Sequence, residues 1–325
     1  MANCMVTGGF GFVGRNLVRM LVERGDNVTV FDIVPGSKFL EDIKGKFNAK
    51  EGDLANWAHV AEAVRDNKID IIYHLGAVIP TPANEACPAT PFYGNVLGTF
   101  NILEAASLFD VKTVVFTSTQ SSYSEGDKFI PDDFTQRPST MYGITKVCGE
   151  RLGEGYWMKL GLDFRGVRYC LINGPGRMME VPGQYVVWTQ QMPALGRPFK
   201  LFVEPETECA TLYVKDAAKA LIDLAEADGS KLTQRIYSLF GYSITAQGLV
   251  DLVKKHIPNA DLTFRPNKEL VERIRKLSMD RRMDSSPAER DWGFKPTYGP
   301  EEALKDYIKE CSENRELYDY PIPDW

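Results

Sequence analysis

Through the first half of the chain, short runs of aliphatic and β-branched residues alternate with stretches whose apolar positions recur every three to four residues. The runs predict strands over 3–7, 27–33, 69–74, 113–117 and 163–171, and the helical period predicts helices over 13–24, 55–67, 94–109 and 140–160. Each helix needs a sheet face on which to bury its stripe, so strands separated by such helices run parallel with right-handed crossovers. The expected fold class is α/β, a doubly wound parallel sheet. After Asn173 the pattern loosens, because Gly174, Pro175, Gly176, Pro182, Gly183, Pro193, Gly196 and Pro198 interrupt any long element. Helices return over 217–227, 245–256 and 300–311, and a strand over 235–239. The expected organisation is a sheet domain over 1–172 with returning segments about 210–242, and a smaller substrate-binding region over 173–209 and 243–325 that covers the sheet's ligand edge.

Composition narrows the classes. The 325 residues are 44% hydrophobic and 25% charged, enough for a sizeable core. The formal net charge is −6 and no basic run is long enough to track a phosphate backbone, so nucleic acid is excluded as an expected partner. No run of about eighteen apolar residues exists, and the first strand begins without a basic leader or cleavage site, so the expectation is a soluble cytoplasmic protein with no membrane contact. The six cysteines lack C-x-x-C spacing and the three histidines stand alone, which predicts reduced thiols and no protein-built metal site.

Candidate chemistry begins directly after the first strand. Thr7-Gly8-Gly9-Phe10-Gly11-Phe12-Val13-Gly14 enters a helix there, the place where a glycine-rich turn presents N–H groups to a pyrophosphate. Gly8 permits the tight turn, Gly11 the approach of phosphate and Gly14 close packing of helix on strand. Asp32 ends the second strand, where a carboxylate accepts hydrogen bonds from an adenosine ribose and repels a 2′-phosphate, favouring NAD. Asp32 alone reads equally well as a turn residue, and Asp53-Leu54 either opens a helix as its cap or reaches the adenine.

Tyr142 and Lys146 lie four residues apart on one helical face. A phenol is a poor base near neutrality unless positive charge stabilises the phenolate, and Lys146 with an oxidised nicotinamide would supply it. Tyr142 would then take a proton from a substrate hydroxyl as hydride leaves the same carbon. Alone, such a pair is usually a solvated helix face. Its meaning comes from the hydroxyl cluster Thr117-Ser118-Thr119 at a strand's C-terminal end, where open α/β sheets bind ligands. Those hydroxyls either satisfy local backbone groups or, through Thr119, fix the substrate oxygen near Tyr142.

These residues carry a resemblance. With Gly52-Asp53-Leu54, His74-Leu75-Gly76-Ala77, Asn95, Gly98-Thr99, Asn101, Arg168-Tyr169 and Gly174-Pro175-Gly176 in order, the chain resembles the extended short-chain dehydrogenase/reductases, of the NAD-dependent epimerase/dehydratase type, over nearly its whole length. The resemblance implies a Rossmann fold and a catalytic set of Thr119, Tyr142 and Lys146. It implies NAD held by Gly8, Gly11, Phe12, Val13, Gly14, Asp32, Asp53, Leu54, Leu75, Gly76, Ala77, Asn95, Thr117, Tyr142, Lys146, Tyr169 and Asn173. The chain departs from the pattern at Gly76, where alanine is usual, and at Ser124, where glycine is usual.

Thr119-Gln120-Ser121 lacks the acid and base that dehydratases of this type carry after the threonine, which disfavours dehydration. Glu204, Glu206 and Glu208 stand where nucleotide-sugar epimerases usually carry a diphosphate-binding arginine, and unless they face solvent they would repel a diphosphate; Arg177 and Arg197 are the residues that would compensate. The C-terminal half is most similar to the short-chain-type L-threonine 3-dehydrogenases, on Val253 to Pro258, Phe264-Arg265-Pro266 and Ala288 to Phe294. That group's substrate-loop threonines correspond to Pro182-Gly183-Gln184 here, so Gln184, Tyr185 and Trp188 read equally as a rebuilt pocket wall or as plain packing under a loop. The pocket's expected wall is Val78, Ser118, Thr119, Gln120, Ser121, Gln184 and Tyr185, with Trp188, Ser122, Ile79 and Pro80 near by. The expectation is NAD-dependent oxidation of a secondary alcohol on a small polar substrate, with sugar or nucleotide-sugar epimerisation as the alternative and a non-catalytic NAD-sensing regulator third. A homodimer is expected through the helices at 94–109 and 140–160, where Gly149 and Gly153 either admit a partner or fit the helix to its own sheet. The aromatic tail, 312–325, either caps a neighbour's site or packs as a terminus.

Overall fold

In the first apolar run, side chains are buried on both faces, as only an interior strand of a covered sheet requires: Cys4 and Val6 pack to one side, Met5 to the other. A computed structural model of the chain describes residues 1–322 apart from 124–125, 127, 179–182 and 277–278. Seven strands form its main sheet: β1 (Asn3–Thr7), β2 (Asn27–Asp32), β3 (Asn48–Glu51), β4 (Ile71–His74), β5 (Thr113–Thr119), β6 (Asp163–Tyr169) and β7 (Ile236–Leu239). Their order is β7-β6-β5-β4-β1-β2-β3 and every pairing is parallel. The chain is doubly wound, a Rossmann sheet, and its winding reverses between β1 and β4.

Helices cover both faces. On one, α1 (Phe12–Arg24) buries Leu17, Val18 and Leu21 with residues of β1 and β2. A fully buried aliphatic side chain of this kind contributes about 1.5–3 kcal/mol. On the other, α2 (Trp57–Asp66) and α3 (Gly98–Leu108) share a core with Met5, Ile72, Val114 and Phe164. The long helix α4 (Met141–Leu160) follows β5.

Several predicted boundaries move for identifiable reasons. The helix expected from 55 starts at Trp57, because Asn56, not Asp53, caps it by accepting from the Ala58 and His59 amides. The helix expected from 94 opens as a π-helical turn, Phe92–Leu97, before α3. The strand expected over 163–171 breaks at Cys170, and Leu171–Asn173 joins a second sheet beside Glu208–Tyr213, which also pairs antiparallel with Tyr242–Thr245. The edge strand β3 escaped prediction because all four of its residues are exposed and its sequence has no apolar alternation.

The segment between β6 and β7 holds α5 (Gln184–Ala194) and α6 (Val214–Glu226). With α7 (Ala246–His256) and α8 (Pro300–Glu313), α5 encloses a separate apolar core containing Tyr185, Trp188, Phe199, Phe202 and Tyr307. Helix α6 packs instead with α1 on the main sheet.

Candidate active site

The turn after β1 is set by sterics. Gly8 has φ +64°, and a β-carbon there would stand 2.8 Å from the Gly76 Cα. One on Gly14 would stand 2.2 Å from the Gly8 carbonyl oxygen, so only glycine lets α1 start this close to the strand. No side chain caps the N-terminus of α1. Its first N–H groups and positive dipole end therefore face the cleft beyond Gly11, ready for a pyrophosphate. Gly76 has a local reason for not being alanine: a β-carbon would fall 2.7 Å from Leu54 Cδ1.

The Asp32 carboxylate accepts from the Phe10 amide (3.0 Å) and the Val34 amide (3.3 Å), holding the glycine turn while keeping lone pairs for a ribose. Ile33 and Val34, exposed beside it, offer an apolar surface suited to an adenine ring. Sequence reasoning missed both, although exposed aliphatic residues after a ribose-binding acid are a readable signal. Asp53 is exposed, and its carboxylate accepts from the Ala55 amide at 2.9 Å.

Behind the turn, the Gly76 amide donates to Thr7 Oγ1 (2.9 Å), which leaves that hydroxyl to donate to His74 Nδ1 (2.8 Å). His74 Nε2–H then donates to Thr99 Oγ1 (3.0 Å). Burial, and secondarily Lys146, push the imidazole down to about 3, so His74 is neutral and fixes the spacing of β1 and β4 at the switch point.

One cleft of about 300 Å³ runs from this turn to the predicted catalytic residues. Gly8, Gly11, Phe12, Val13, Gly14, Leu75, Ala77, Thr117, Ser118, Thr119, Gln120, Ser121, Tyr142 and Tyr169 all line it. So do Ile79, Pro80, Cys170, Leu171, Ile172, Arg177 and Met279. The turn that follows β5, Gln120–Ser122, and the start of α4 meet closely because Gly143 would clash as any larger residue, its β-carbon 2.2 Å from the Ser121 carbonyl oxygen. Thr140 and Glu85 cap that helix: Gly143 N–H donates to Thr140 Oγ1 (3.0 Å), and the Met141 and Tyr142 amides donate to the two Glu85 oxygens (2.9 and 3.2 Å).

Lys146 is 3% exposed, and its Nζ donates to the Thr117 carbonyl at 2.8 Å while standing 5.7 Å from the centre of the Tyr142 ring. Burial lowers its pKa to about 7 against an upward pull from Glu150. Burial alone raises the Tyr142 phenol to about 12. The Lys146 amine is held by the β5 backbone, at the Thr117 carbonyl. Glu150, one turn further along α4, is fully buried and accepts from Ser118 Oγ, from Arg168 Nε (3.0 Å) and Nη2 (2.7 Å), and from Gln136. Burial pushes its carboxyl up, and the Arg168 guanidinium more than reverses that. Sequence reasoning passed over Glu150, although its place at i+4 from Lys146 put it on the same face.

Other expected contacts turn elsewhere. The Asn95 amide holds both the N–H and carbonyl of Val78 (2.6 and 3.0 Å) and Thr145 Oγ1 (3.0 Å), so its side chain is a brace for the 78–80 wall. The Asn173 side chain donates to Tyr242 (3.0 Å) and accepts from Gln190 (3.3 Å) and Tyr307 (2.6 Å). Tyr185 points into the C-terminal core, against Phe202 and onto the Thr207 carbonyl, because its helix α5 is buried all round; the substrate-wall expectation for it is corrected. Trp188 packs on Phe199 and Phe202 in the same core. Gln184 is buried against Arg177. Glu204, Glu206 and Glu208 line a different hollow with Lys128 and Asp280, so they do not bear on anion binding in the cleft. Arg197 is tied to Asp319 and the Tyr320 carbonyl. Gly149 and Gly153 face Phe116 and Phe164 of their own sheet. Ser124 and Pro182 lie outside the described residues.

Residues 4–239 match the profile of the NAD dependent epimerase/dehydratase family. The protein belongs to that family. As a member, it is an enzyme whose cofactor is NAD, and the glycine cradle, the open end of α1 and Asp32 fit that cofactor. The family member from Bos taurus named L-threonine 3-dehydrogenase, mitochondrial, is 30% identical over 298 residues, 90% of this chain and 78% of that one. The solved L-threonine dehydrogenase of Clostridium difficile is 26% identical with a TM-score of 0.86, covering 98% of this chain and 99% of that one. A Thermotoga maritima UDP-glucose 4-epimerase shares the fold at 24% identity, with a TM-score of 0.81 over 96% and 99% of the two chains. Among the described residues no helix is long and apolar enough to cross a membrane, and no cluster of side chains is arranged to hold a metal.

Proposed function

We propose that this family member oxidises a secondary alcohol on a small polar substrate, with Tyr142 as the proton-transfer group, Thr119 as the hydroxyl that orients the substrate oxygen, and Lys146 as the positive charge beside them. The observation that carries the reading is the convergence of Thr119 and Tyr142 on one cleft that continues to the glycine turn. When bound, NAD supplies the hydride acceptor and a positive charge at the reacting end. The chain's own part is the proton. Tyr142 and Lys146 lie on one face of α4, and burial brings Lys146 to about 7 while keeping the Tyr142 phenol protonated. Above that pH Lys146 is a neutral amine that takes the proton Tyr142 passes on from the substrate hydroxyl, and it becomes the positive charge beside them as the proton moves. Alcohol oxidation thus gains rate as pH rises through about 7, and the reverse reduction gains as pH falls.

A small substrate is supported by space. Ligand sites typically span about 300–1,000 Å³, and this cleft, at the lower end, must also take the nicotinamide half of the cofactor. The dehydrogenase names of the relatives support the same reading. A panel of hydroxy acids, amino acids, aldonates and sugars followed by NADH absorbance tests it. Conversion of a sugar or nucleotide sugar with no NADH released would replace it by epimerisation, in which the hydride returns to the substrate.

The reading includes a homodimer and a reducing, cytosolic setting. Exposed apolar side chains on α3 (Phe100, Leu108) and α4 (Ile144, Trp157, Met158) support the dimer. Six free cysteines support the reducing compartment. Light scattering after gel filtration decides the first: a monomer at micromolar concentration rejects it.

A further inference from the structure

The catalytic cleft has a charge that the proton-transfer chemistry does not use. Arg177 is only 5% exposed, yet it lines the cleft with Thr119, Gln120 and Tyr142. Its Nη1 donates to Gln184 Oε1 at 2.7 Å, and Gln184 in turn donates to the Arg177 carbonyl, which fixes the guanidinium plane. Nε and Nη2 make no hydrogen bond among the described residues, and no aspartate or glutamate among them pairs with the group or lines the cleft. Burial lowers its pKa to about 10, so it stays charged at neutral pH.

A guanidinium withdrawn from water without a counter-charge is costly, and an anion supplied by the ligand is what offsets it. The edge without a partner among the described residues, Nε with Nη2, is the one that grips a carboxylate through two parallel hydrogen bonds. The small cleft leaves room for a compact anion, and the three glutamates once expected to repel one lie in another hollow.

We propose that Arg177, held by Gln184, receives a carboxylate of the substrate, which makes that substrate a small hydroxy acid or amino acid; the hydroxyl half of this description rests on the dehydrogenase reading above, the acid half does not.

The test is equilibrium binding to the wild-type NADH complex, in which an alcohol cannot be oxidised. The probes are 3-hydroxybutyrate, L-threonine and D-gluconate, each against its primary amide, with sn-glycerol 3-phosphate as the phosphate probe. At least one acid is expected to bind about 10²-fold more tightly than its amide, since losing one partner of a buried charged pair costs on that order. Arg177→Gln should erase the difference while NADH binding is kept, and Arg177→Lys should restore part of it. Equal binding of every acid and its amide, failure of every acid to bind, an acid preference that survives in Arg177→Gln, or Arg177-dependent binding of the phosphate probe alone would each overturn the proposal. Should Arg177→Gln lose NADH binding, the wild-type acid-to-amide ratio and Arg177→Lys decide. Acid preference without NADH production from any acid removes the dehydrogenase reading and keeps Arg177; NADH from a neutral alcohol with no acid preference does the reverse.

Discussion

The two walls of the cleft are built by different means. On the cofactor side, backbones are pressed together: Gly8 on Gly76, Gly14 on the Gly8 carbonyl, Gly143 on the Ser121 carbonyl. On the 173–184 side, long polar side chains from distant parts of the chain are locked into each other: Asn173 with Tyr242 and Tyr307, Arg177 with Gln184, Gln191 with Gly176 and Tyr318. Backbone contact tolerates one residue type and leaves a trace in the sequence. Side-chain lattices can be assembled in many ways and leave none.

The comparison can be broken at several points. The largest effect belongs to the buried pair that ties α4 to β6. Glu150→Gln leaves the Arg168 charge buried and half-partnered, and should lower unfolding stability by about 3–5 kcal/mol in urea titration, whereas replacing both partners by apolar residues should cost less. A single variant as stable as wild type would show that the pair is not the anchor of β5, β6 and α4. Next comes chemistry. Tyr142→Phe should reduce turnover by about 10²-fold or more with NAD affinity nearly unchanged in fluorescence titration, and retained turnover removes Tyr142 from its role.

Gly14→Ala sets a β-carbon against a carbonyl that cannot swing aside, and should destabilise by about 1–3 kcal/mol with a marked loss of NAD affinity. Near-normal NAD binding in that variant would mean the turn is softer than its geometry. A smaller effect is expected from Lys146→Met, and its sign is unusual. The folded protein releases the Lys146 proton near 7, well below the ordinary 10.5, so between those values the unfolded chain binds more protons and wild-type stability rises with pH. The variant should lose that rise, gain stability at neutral pH and lose activity; a pH dependence matching wild type places the titration on another group. Smallest is Tyr185→Phe, which gives up one hydrogen bond to Thr207, about 1 kcal/mol, and should leave KM untouched because the ring lies outside the cleft.

These differences follow what the chain could reveal in advance. The alternation of runs and helices predicted the parallel sheet, and the glycine turn, Asp32, Thr119, Tyr142 and Lys146 stood out as candidates because each sits at a fixed offset from a strand end; the glycine turn, Thr119 and Tyr142 line one cleft. Element limits moved where a side chain decided them, as when Asn56 took the capping role expected of Asp53. The C-terminal half was less legible. Helix α5 is buried on every side and shows no apolar period, so its tyrosine and tryptophan read equally as pocket wall or as packing, and they are core. The orientation of Lys146 could not be read either, since spacing puts two residues on one face without saying which carbonyl the longer one will reach.

The segment Arg315–Tyr318 and the residues after it reach back to the first helix. Tyr318 stacks on Phe39, whose ring lies 3.5 Å beneath the Arg15 guanidinium, and Arg15 holds the Pro175 and Gly176 carbonyls (3.1 Å each) that lead into Arg177. Late and early parts of the polypeptide thus share one clasp over the loop that shapes the cleft. Trimming this stretch would strip Phe39 of its aromatic neighbour and slacken the grip of Arg15 on the 175–176 backbone, so the far end of the polypeptide bears on how firmly the start of that loop is held.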